Sequence, residues 1–464
     1  MEFLGMHNKE YCVSIPENIN RQLQDHLIRE DGDEDLIFAL WYPSYGAKRT
    51  TALVNEILFP LKGDRQRHGN VSYNPQYFKR VCSEASKKGM GVCFIHSHPF
   101  PGWQGMSSDD VAAETRMAPS AFTFSDLPLV GMTISSDSIW SARIWNHFGE
   151  GIFNMKWMHL AKSAGLKLET SFNDKLVALP KYQEMFKRTR TVYGKATHEK
   201  LCRLRIGIVG LGSVGSIVVE NLSRMGLEKY VLIDFDKIKK HNLDRQLGAT
   251  KKDLGKLKID VAARQIKQSS TAQNIEIHKV PHSLTEREGY EAALDCDVIY
   301  SCVDRPWARH ILNHIAYAHL IPVIDGGISV SFDSEGNFER ADWQFQTASP
   351  ERPCLQCLKI YESSDVELEK SGMLDKQSYL DGLPDHHPFK NNENIFPFSA
   401  HLASFEIFHL MALVTGIGGI RDFGVQRYRY VPGFLSSYSE KKCSQGCTFK
   451  GLVATGDKFL SGIS

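Results

Sequence analysis

Apolar positions follow two different rhythms along the chain. Up to about residue 150, short apolar runs mix irregularly with helical periodicity. Leu36–Trp41 and Ala52–Phe59 read as strands, Asn74–Lys88 as a helix and Gly91–His96 as a buried strand. Leu129–Ser135 and Ser138–Trp145 flank Ser136-Asp137, a hairpin signal. Strands and helices without strict alternation predict an α+β domain over 1–150. Residues 151–200 are amphipathic, Lys-rich and poor in strand signals, and carry Pro180, so they predict a helical connector. From Leu204 the rhythm becomes strand–helix–strand. Arg205–Val209, Tyr230–Ile233, Ile275–Val280, Val298–Cys302 and Pro322–Asp325 read as strands, and Val214–Met225 and Lys258–Lys267 as helices. This predicts a doubly wound, Rossmann-like α/β domain over 201–464. Val330–Phe332 and Asn337–Ala341 predict a hairpin around Asp333-Ser334-Glu335-Gly336.

Composition narrows the classes. A chain of 464 residues has length for two to three domains at about 150 residues each. Hydrophobic residues at 42% and charged residues at 23% exclude a disordered, collagen-like or coiled-coil chain. Lys+Arg 55 against Asp+Glu 54 leaves no bulk field for nucleic acid or an anionic membrane, so neither is an expected partner. The most apolar stretch, Ile407–Ile420, is too short to span a bilayer and reads as a buried helix running into a loop. The N-terminal residues have no signal-peptide pattern, and a cytoplasmic location is expected. The ten cysteines then read as thiols or metal ligands rather than disulfides.

The first chemical pattern closes the Gly91–His96 strand. His96 and His98 stand two residues apart, so both imidazoles share one face, and Pro99 ends the ladder. Downstream, Ser107 and Asp110 open a helical pattern, where Asp110 supplies a third ligand. Two His and one carboxylate leave an open position on a zinc ion. His96-x-His98-Pro99 with Ser107-x-x-Asp110 resembles the JAMM (JAB/MPN) metallopeptidases, which cleave peptide or isopeptide bonds after ubiquitin-like proteins. The resemblance implies His96, His98 and Asp110 as zinc ligands, Ser107 as oxyanion donor, and an upstream Glu as general base. Glu34 fits that base best, with Glu30 and Asp35 as competitors. The family usually has seven residues between the second His and the Ser; here there are eight, which keeps Asp109 open as an alternative ligand. The extra residue is expected in the Phe100–Gly105 loop.

The second pattern is Gly210-Leu211-Gly212-Ser213-Val214-Gly215 between a strand and a helix, a phosphate-facing turn. Asp234 ends the next strand, where a carboxylate reaches ribose hydroxyls. Arg245 and Lys258 bring cations suited to a triphosphate, and Asp304 follows a strand where it suits Mg²⁺. Gly210-x-Gly212-x-x-Gly215, Asp234-x-Asp236, Asn242-x-x-Arg245-Gln246, Lys258 and Asp304 together resemble the ThiF/MoeB family, the adenylating core of ubiquitin-activating enzymes, over roughly 185–450. The resemblance implies ATP-dependent adenylation of the C-terminal glycine of a ubiquitin-like protein. It assigns Asp234 to ribose, Asn242, Arg245 and Lys258 to phosphates, and Asp304 to the metal. Arg188 matches an arginine that the family inserts into a neighbouring subunit's ATP site, which implies a homodimer.

Cys354-x-x-Cys357 and Cys443-x-x-x-Cys447 are two close pairs whose thiolates suit structural zinc. Residues 358–442 contain no Cys, although relatives that form a thioester usually hold one there. Direct hand-over is therefore expected, with a separate conjugating enzyme as one acceptor. Ser371–Asn392, with His386 and His387, reads as a polar loop guiding the carrier's tail. Activation of a sulfur carrier, with trimming by the first domain, is the alternative.

Overall fold

The computed structural model describes residues 9–68, 70–149, 151–181, 184–381, 394–415, 423–438 and 441–459. They divide into two compact units. The first holds the described residues up to Ala178, Ala318–Leu320 and the segment from Leu452; the second holds Leu179–Tyr317 and Ile321–Gly451.

The first unit contains strands β1 (Glu10–Pro16), β2 (Leu36–Tyr45), β3 (Arg49–Leu58), β4 (Arg65–His68), β5 (Asn70–Tyr73), β6 (Gly91–Ser97), β7 (Leu129–Ile134), β8 (Trp140–His147), β9 (Phe153–Trp157), β10 (Leu160–Ala164) and β11 (Leu168–Phe172). Its helices are α1 (Glu17–Leu27), α2 (Pro75–Lys88) and α3 (Ser108–Ser125). Nine strands form one sheet in the order β11-β10-β1-β3-β2-β6-β7-β8-β9, while β4 and β5 pair separately. β1 runs parallel to β3 and β10, and β6 parallel to β7.

Both sheet faces are covered, which is why β2 reads as an unbroken apolar run rather than an alternating one. Ile37, Ala39 and Trp41 join α1 in one core, and Leu36, Phe38 and Leu40 join α2 and α3 in the other. Phe38 lies within 5.7 Å, centroid to centroid, of the rings of Tyr73, Tyr77, Phe78 and Phe94. Asn74 caps α2 by accepting a hydrogen bond from the Gln76 N–H, with Pro75 at the first helical position.

The second unit opens with α4 (Lys187–Tyr193) and α5 (Lys195–Arg203). It continues through β12 (Arg205–Val209), α6 (Ser213–Arg224), β13 (Lys229–Ile233), α7 (Lys258–Ser269), β14 (Glu276–Val280), α8 (Arg287–Leu294), β15 (Val298–Ser301), α9 (Pro306–Ala318) and β16 (Val323–Phe332). It ends with β17 (Phe338–Ala348), α10 (Ser363–Lys370), α11 (Gln377–Asp381), α12 (Phe396–Thr415), β18 (Val425–Arg429) and β19 (Phe434–Tyr438). The sheet order is β14-β13-β12-β15-β16-β17-β18-β19. The first five strands are parallel and the rest antiparallel, so a nucleotide-type α/β half continues into a meander.

Four expectations change. Residues 151–200 are not a helical connector: β9, β10 and β11 add to the first sheet, and helix begins only near Lys187. The apolar helix is longer than expected, because α12 starts at Phe396 with Pro397 tolerated in its first turn. By length and composition alone, α12 would cross a membrane; 61% of its apolar window is buried, and its buried residues include Glu406 and His409. The segment from Leu452 packs on the first unit, where the Asn55 side chain donates to Val453 O at 3.0 Å and Asp457 accepts from Tyr45 N at 2.8 Å. In Ser371–Asn392 the chain forms α11 before the described residues stop at Asp381, so His386 and His387 lie outside them.

Phe38→Ala removes the centre of the aromatic cluster. It is expected to cost about 3–5 kcal/mol, read as a lower midpoint of the first unit's transition in denaturant-unfolding curves.

Candidate functional sites

Strand parity aims the first site. In β6, Cys93 and Ile95 face α1, while Val92 and Phe94 face α2 and α3. His96 therefore falls on the α3 face, and His98 stays in register through its N–H to Ile134 O at 2.8 Å. Ser107 caps α3: its Oγ accepts from Asp110 N at 3.1 Å, and its N–H donates to Asp110 Oδ2 at 2.8 Å. This capping box turns the Asp110 carboxylate onto both imidazoles. His96 Nε2 lies 3.1 Å from Asp110 Oδ1 and 3.1 Å from His98 Nε2, and His98 Nε2 lies 3.4 Å from Asp110 Oδ2.

Asp109 is exposed on the neighbouring helical position, outside this cluster. Burial pushes the Asp110 carboxyl up, but hydrogen bonds from His96 and His98 more than reverse it and hold it well below the usual carboxylate range. The same carboxylate raises His98, whereas burial lowers the fully enclosed His96. Two imidazole nitrogens and a carboxylate, all within 4.8 Å of one another, are a donor set that fits zinc with a free coordination position.

Glu34 is half-buried just before β2. Burial raises its carboxyl above the ordinary range, with the His98 charge opposing and the Asp110 charge reinforcing that rise. Asp35 is fully buried and bound to Arg65, and its backbone is locked to Ser97, so it fastens β2 to β6. Glu30 is exposed. The Phe100–Gly105 loop is stapled by Gln104, whose Nε2 contacts the carbonyls of Phe100, Pro101 and Gly102 at 2.9–3.1 Å. Sequence reading missed Gln104; only its low exposure in a Pro/Gly loop, a structural property, marks it.

In the second unit the glycine turn joins β12 to α6. Gly210 has φ +88, and a Cβ there would meet Cys302 O at 2.4 Å; one on Gly215 would meet Gly210 O at 2.1 Å. At Gly212 no atom lies within 4 Å of the added carbon, leaving open space at the helix N-terminus, as a phosphate cradle requires. Asp234 is buried and accepts from Leu211 N at 2.6 Å and Asp236 N at 2.7 Å, so it shapes the turn directly. Burial raises its carboxyl against the pull of Lys258.

Lys258 Nζ lies 2.7 Å from Asp236 Oδ2 and 3.9 Å from Asp234 Oδ2. Gln246 Nε2 donates to Leu211 O at 2.9 Å. Asn242 Oδ1 instead accepts from Lys239 N at 2.8 Å and closes a short helical turn, while Arg245 contacts Asp244 at 3.3 Å. Asp304 is exposed just past β15, and Arg188 is exposed on α4. The turn, Asp234, Asp236, Gln246 and Lys258 are thus one bonded cluster. A pin missed in sequence is Asp253, which Arg264 holds well below the usual carboxylate range and which ties the cation-bearing loop to α7.

Cys354, Cys357, Cys443 and Cys447 bring their sulfurs within 4.8 Å of one another. Cys354 N donates to Cys443 Sγ at 3.1 Å, and hydrogen bonding led by the Cys354 thiol lowers Cys443 to about 5. Four sulfurs around one point fit structural zinc.

A parallel sheet with a glycine turn at its first strand and cationic side chains at the strand ends defines a nucleotide-binding α/β unit. The model of the ThiF family matches residues 186–439, more than half of the sequence, and the chain belongs to that family. It is 29% identical over 142 residues to ubiquitin-like modifier-activating enzyme 5 of Drosophila willistoni, covering 28% of this chain and 35% of the relative. It is 26% identical over 159 residues to the SAMP-activating enzyme E1 of Haloferax volcanii, covering 34% and 54%. It is 25% identical over 166 residues to the adenylyltransferase and sulfurtransferase UBA4 of Meyerozyma guilliermondii, covering 36% and 37%. The chain spans 35% to 54% of the length of these curated relatives.

Asp110→Asn is expected to remove one bound zinc equivalent per chain and Asp109→Asn none, measured as metal content of the purified full-length protein.

Proposed function

We infer that the chain activates the C-terminal carboxylate of a ubiquitin-like protein in its second unit and hydrolyses (iso)peptide bonds at that C-terminus in its first. The observation that carries the activation reading is the bonded cluster of Gly210–Gly215, Asp234, Gln246 and Lys258 in a ThiF-family chain. The relatives' names, which include activating enzymes for ubiquitin-like modifiers, support it. ATP is the substrate: the carboxylate attacks the α-phosphorus, the bond to the bridging oxygen breaks, and pyrophosphate leaves. Lys258 and Arg245 neutralise charge on the phosphates, Asn242 adds an amide, and Asp304 holds Mg²⁺. Arg188 reaches the ATP site of a second copy in a homodimer.

In the first unit, His96, His98 and Asp110 hold zinc, which when bound supplies Lewis-acid polarisation and an acidified water. Glu34, whose carboxyl burial raises, holds and returns a proton. The Ser107 hydroxyl accepts its capping bond from Asp110 N and keeps its own hydrogen to donate to a developing oxyanion.

The absence of Cys from residues 358–442 favours hand-over without an internal thioester, either to a separate conjugating enzyme or, as the second reading, to a sulfur donor. The name of the yeast relative agrees with the second reading. Formation of a carrier thiocarboxylate selects sulfur transfer, and a protein–protein conjugate selects modification.

The test is ATP–pyrophosphate exchange with a small β-grasp protein ending in glycine, run beside cleavage of the same protein extended by a peptide. Arg245→Ala and Asp304→Ala are expected to lower exchange by about 10²–10³-fold and leave cleavage intact. His96→Ala is expected to do the reverse. Loss of both activities in either set, or no exchange at all, would overturn the two-site reading.

A further inference from the structure

Behind the histidine pair lies a charge pair with no exposed surface. Arg143 of β8 and Glu114 of α3 are both fully buried. Arg143 Nε lies 3.0 Å from each Glu114 carboxylate oxygen, and its Nη2 adds a second bond to Glu114 Oε1. Trp145 Nε1 donates to Glu114 Oε2 at 2.7 Å. The fourth member is Thr133 of β7, whose Oγ1 accepts from Arg143 Nη1 at 2.6 Å and stands 3.5 Å from His96 Nε2.

The sheet register builds this chain of contacts. His96 pairs with Thr133 across β6 and β7, and Gly131 pairs with Arg143 across β7 and β8. All four therefore point to the α3 face. Gly131 is the slot through which Glu114 descends: a Cβ there would lie 2.4 and 2.6 Å from the Glu114 oxygens and 2.7 Å from Arg143 Nε. Glu114 also follows Asp110 by four residues on α3, one helical turn along the same face.

A buried ion pair gives up so much hydration that apolar side chains of the same volume would serve stability as well or better. What such a pair does fix is geometry, because bidentate guanidinium–carboxylate contact tolerates little rotation or sliding. Here it fixes the turn of α3 that carries Asp110 against the strands that carry His96. We propose that Glu114 and Arg143, with Thr133, are positioning residues that set the distance between Asp110 and the two imidazoles. The inference rests on the reading of His96, His98 and Asp110 as a zinc site.

The test titrates the full-length protein with zinc buffered by a chelator. The step that belongs to the first unit is the one missing from His96→Ala. Arg143→Lys and Glu114→Gln are expected to weaken that step by about 10- to 100-fold, with the four-cysteine step unchanged. Substituting cobalt is expected to change the visible absorption band of the same step. The double variant Glu114→Met with Arg143→Met keeps the volume without the charges; it is expected to fold and still bind zinc weakly. Wild-type affinity and wild-type cobalt spectrum in any folded variant would overturn the positioning role. A wild-type protein with no more zinc than His96→Ala would overturn the zinc reading itself, and the positioning role with it.

Discussion

One carboxylate ties the first unit together. Asp110 closes the capping box of α3 through Ser107 and at the same time meets both imidazoles at the end of β6. A helix start leaves backbone N–H groups without partners, and a carboxylate taken out of water needs donors. Here each requirement answers the other. The first turn of α3 and the histidine cluster consequently share a single group.

The second unit uses the same economy. Asp234 ends β13 and accepts from Leu211 and Asp236, so the acid at the strand end also holds the glycine turn. Lys258 then sits within reach of both Asp234 and Asp236. The turn, the acids and the cation are mutually supporting before any ligand arrives, which lowers the ordering cost that binding would otherwise meet.

Much of this was legible in the sequence. Fully buried strands give continuous apolar runs, so β2, β6, β12 and β15 stood out. The spacing of His96 and His98 declared a shared face, and Gly210–Gly215 declared a turn between strand and helix. The strands β9 and β10 did not stand out, because each carries a lysine that the fold accommodates: Lys162 is buried, and Lys156 lies over the rings of Tyr11 and Phe148; β11 is interrupted by the polar Glu169, Thr170 and Ser171. The start of α12 was hidden by polar residues such as His401, Ser404 and Glu406, which a buried helix in a larger unit tolerates. The choice between Asp109 and Asp110 as neighbour of the imidazoles needed the phase of α3, which no count of intervening residues supplies. The partnership of Glu114 with Arg143 was equally invisible, since register across three strands decides it.

The segment from Leu452 completes the first unit although Leu179–Tyr317 and Ile321–Gly451 of the second unit precede it in the chain. In topological terms the ThiF unit is an insertion, and the amino-terminal unit is discontinuous. A polypeptide cut after Ala178 would therefore leave Asn55 without its carbonyl partner at Val453 and Tyr45 without Asp457. During synthesis the sheet can assemble early, but its last stitches wait until the residues up to Gly451 have been made.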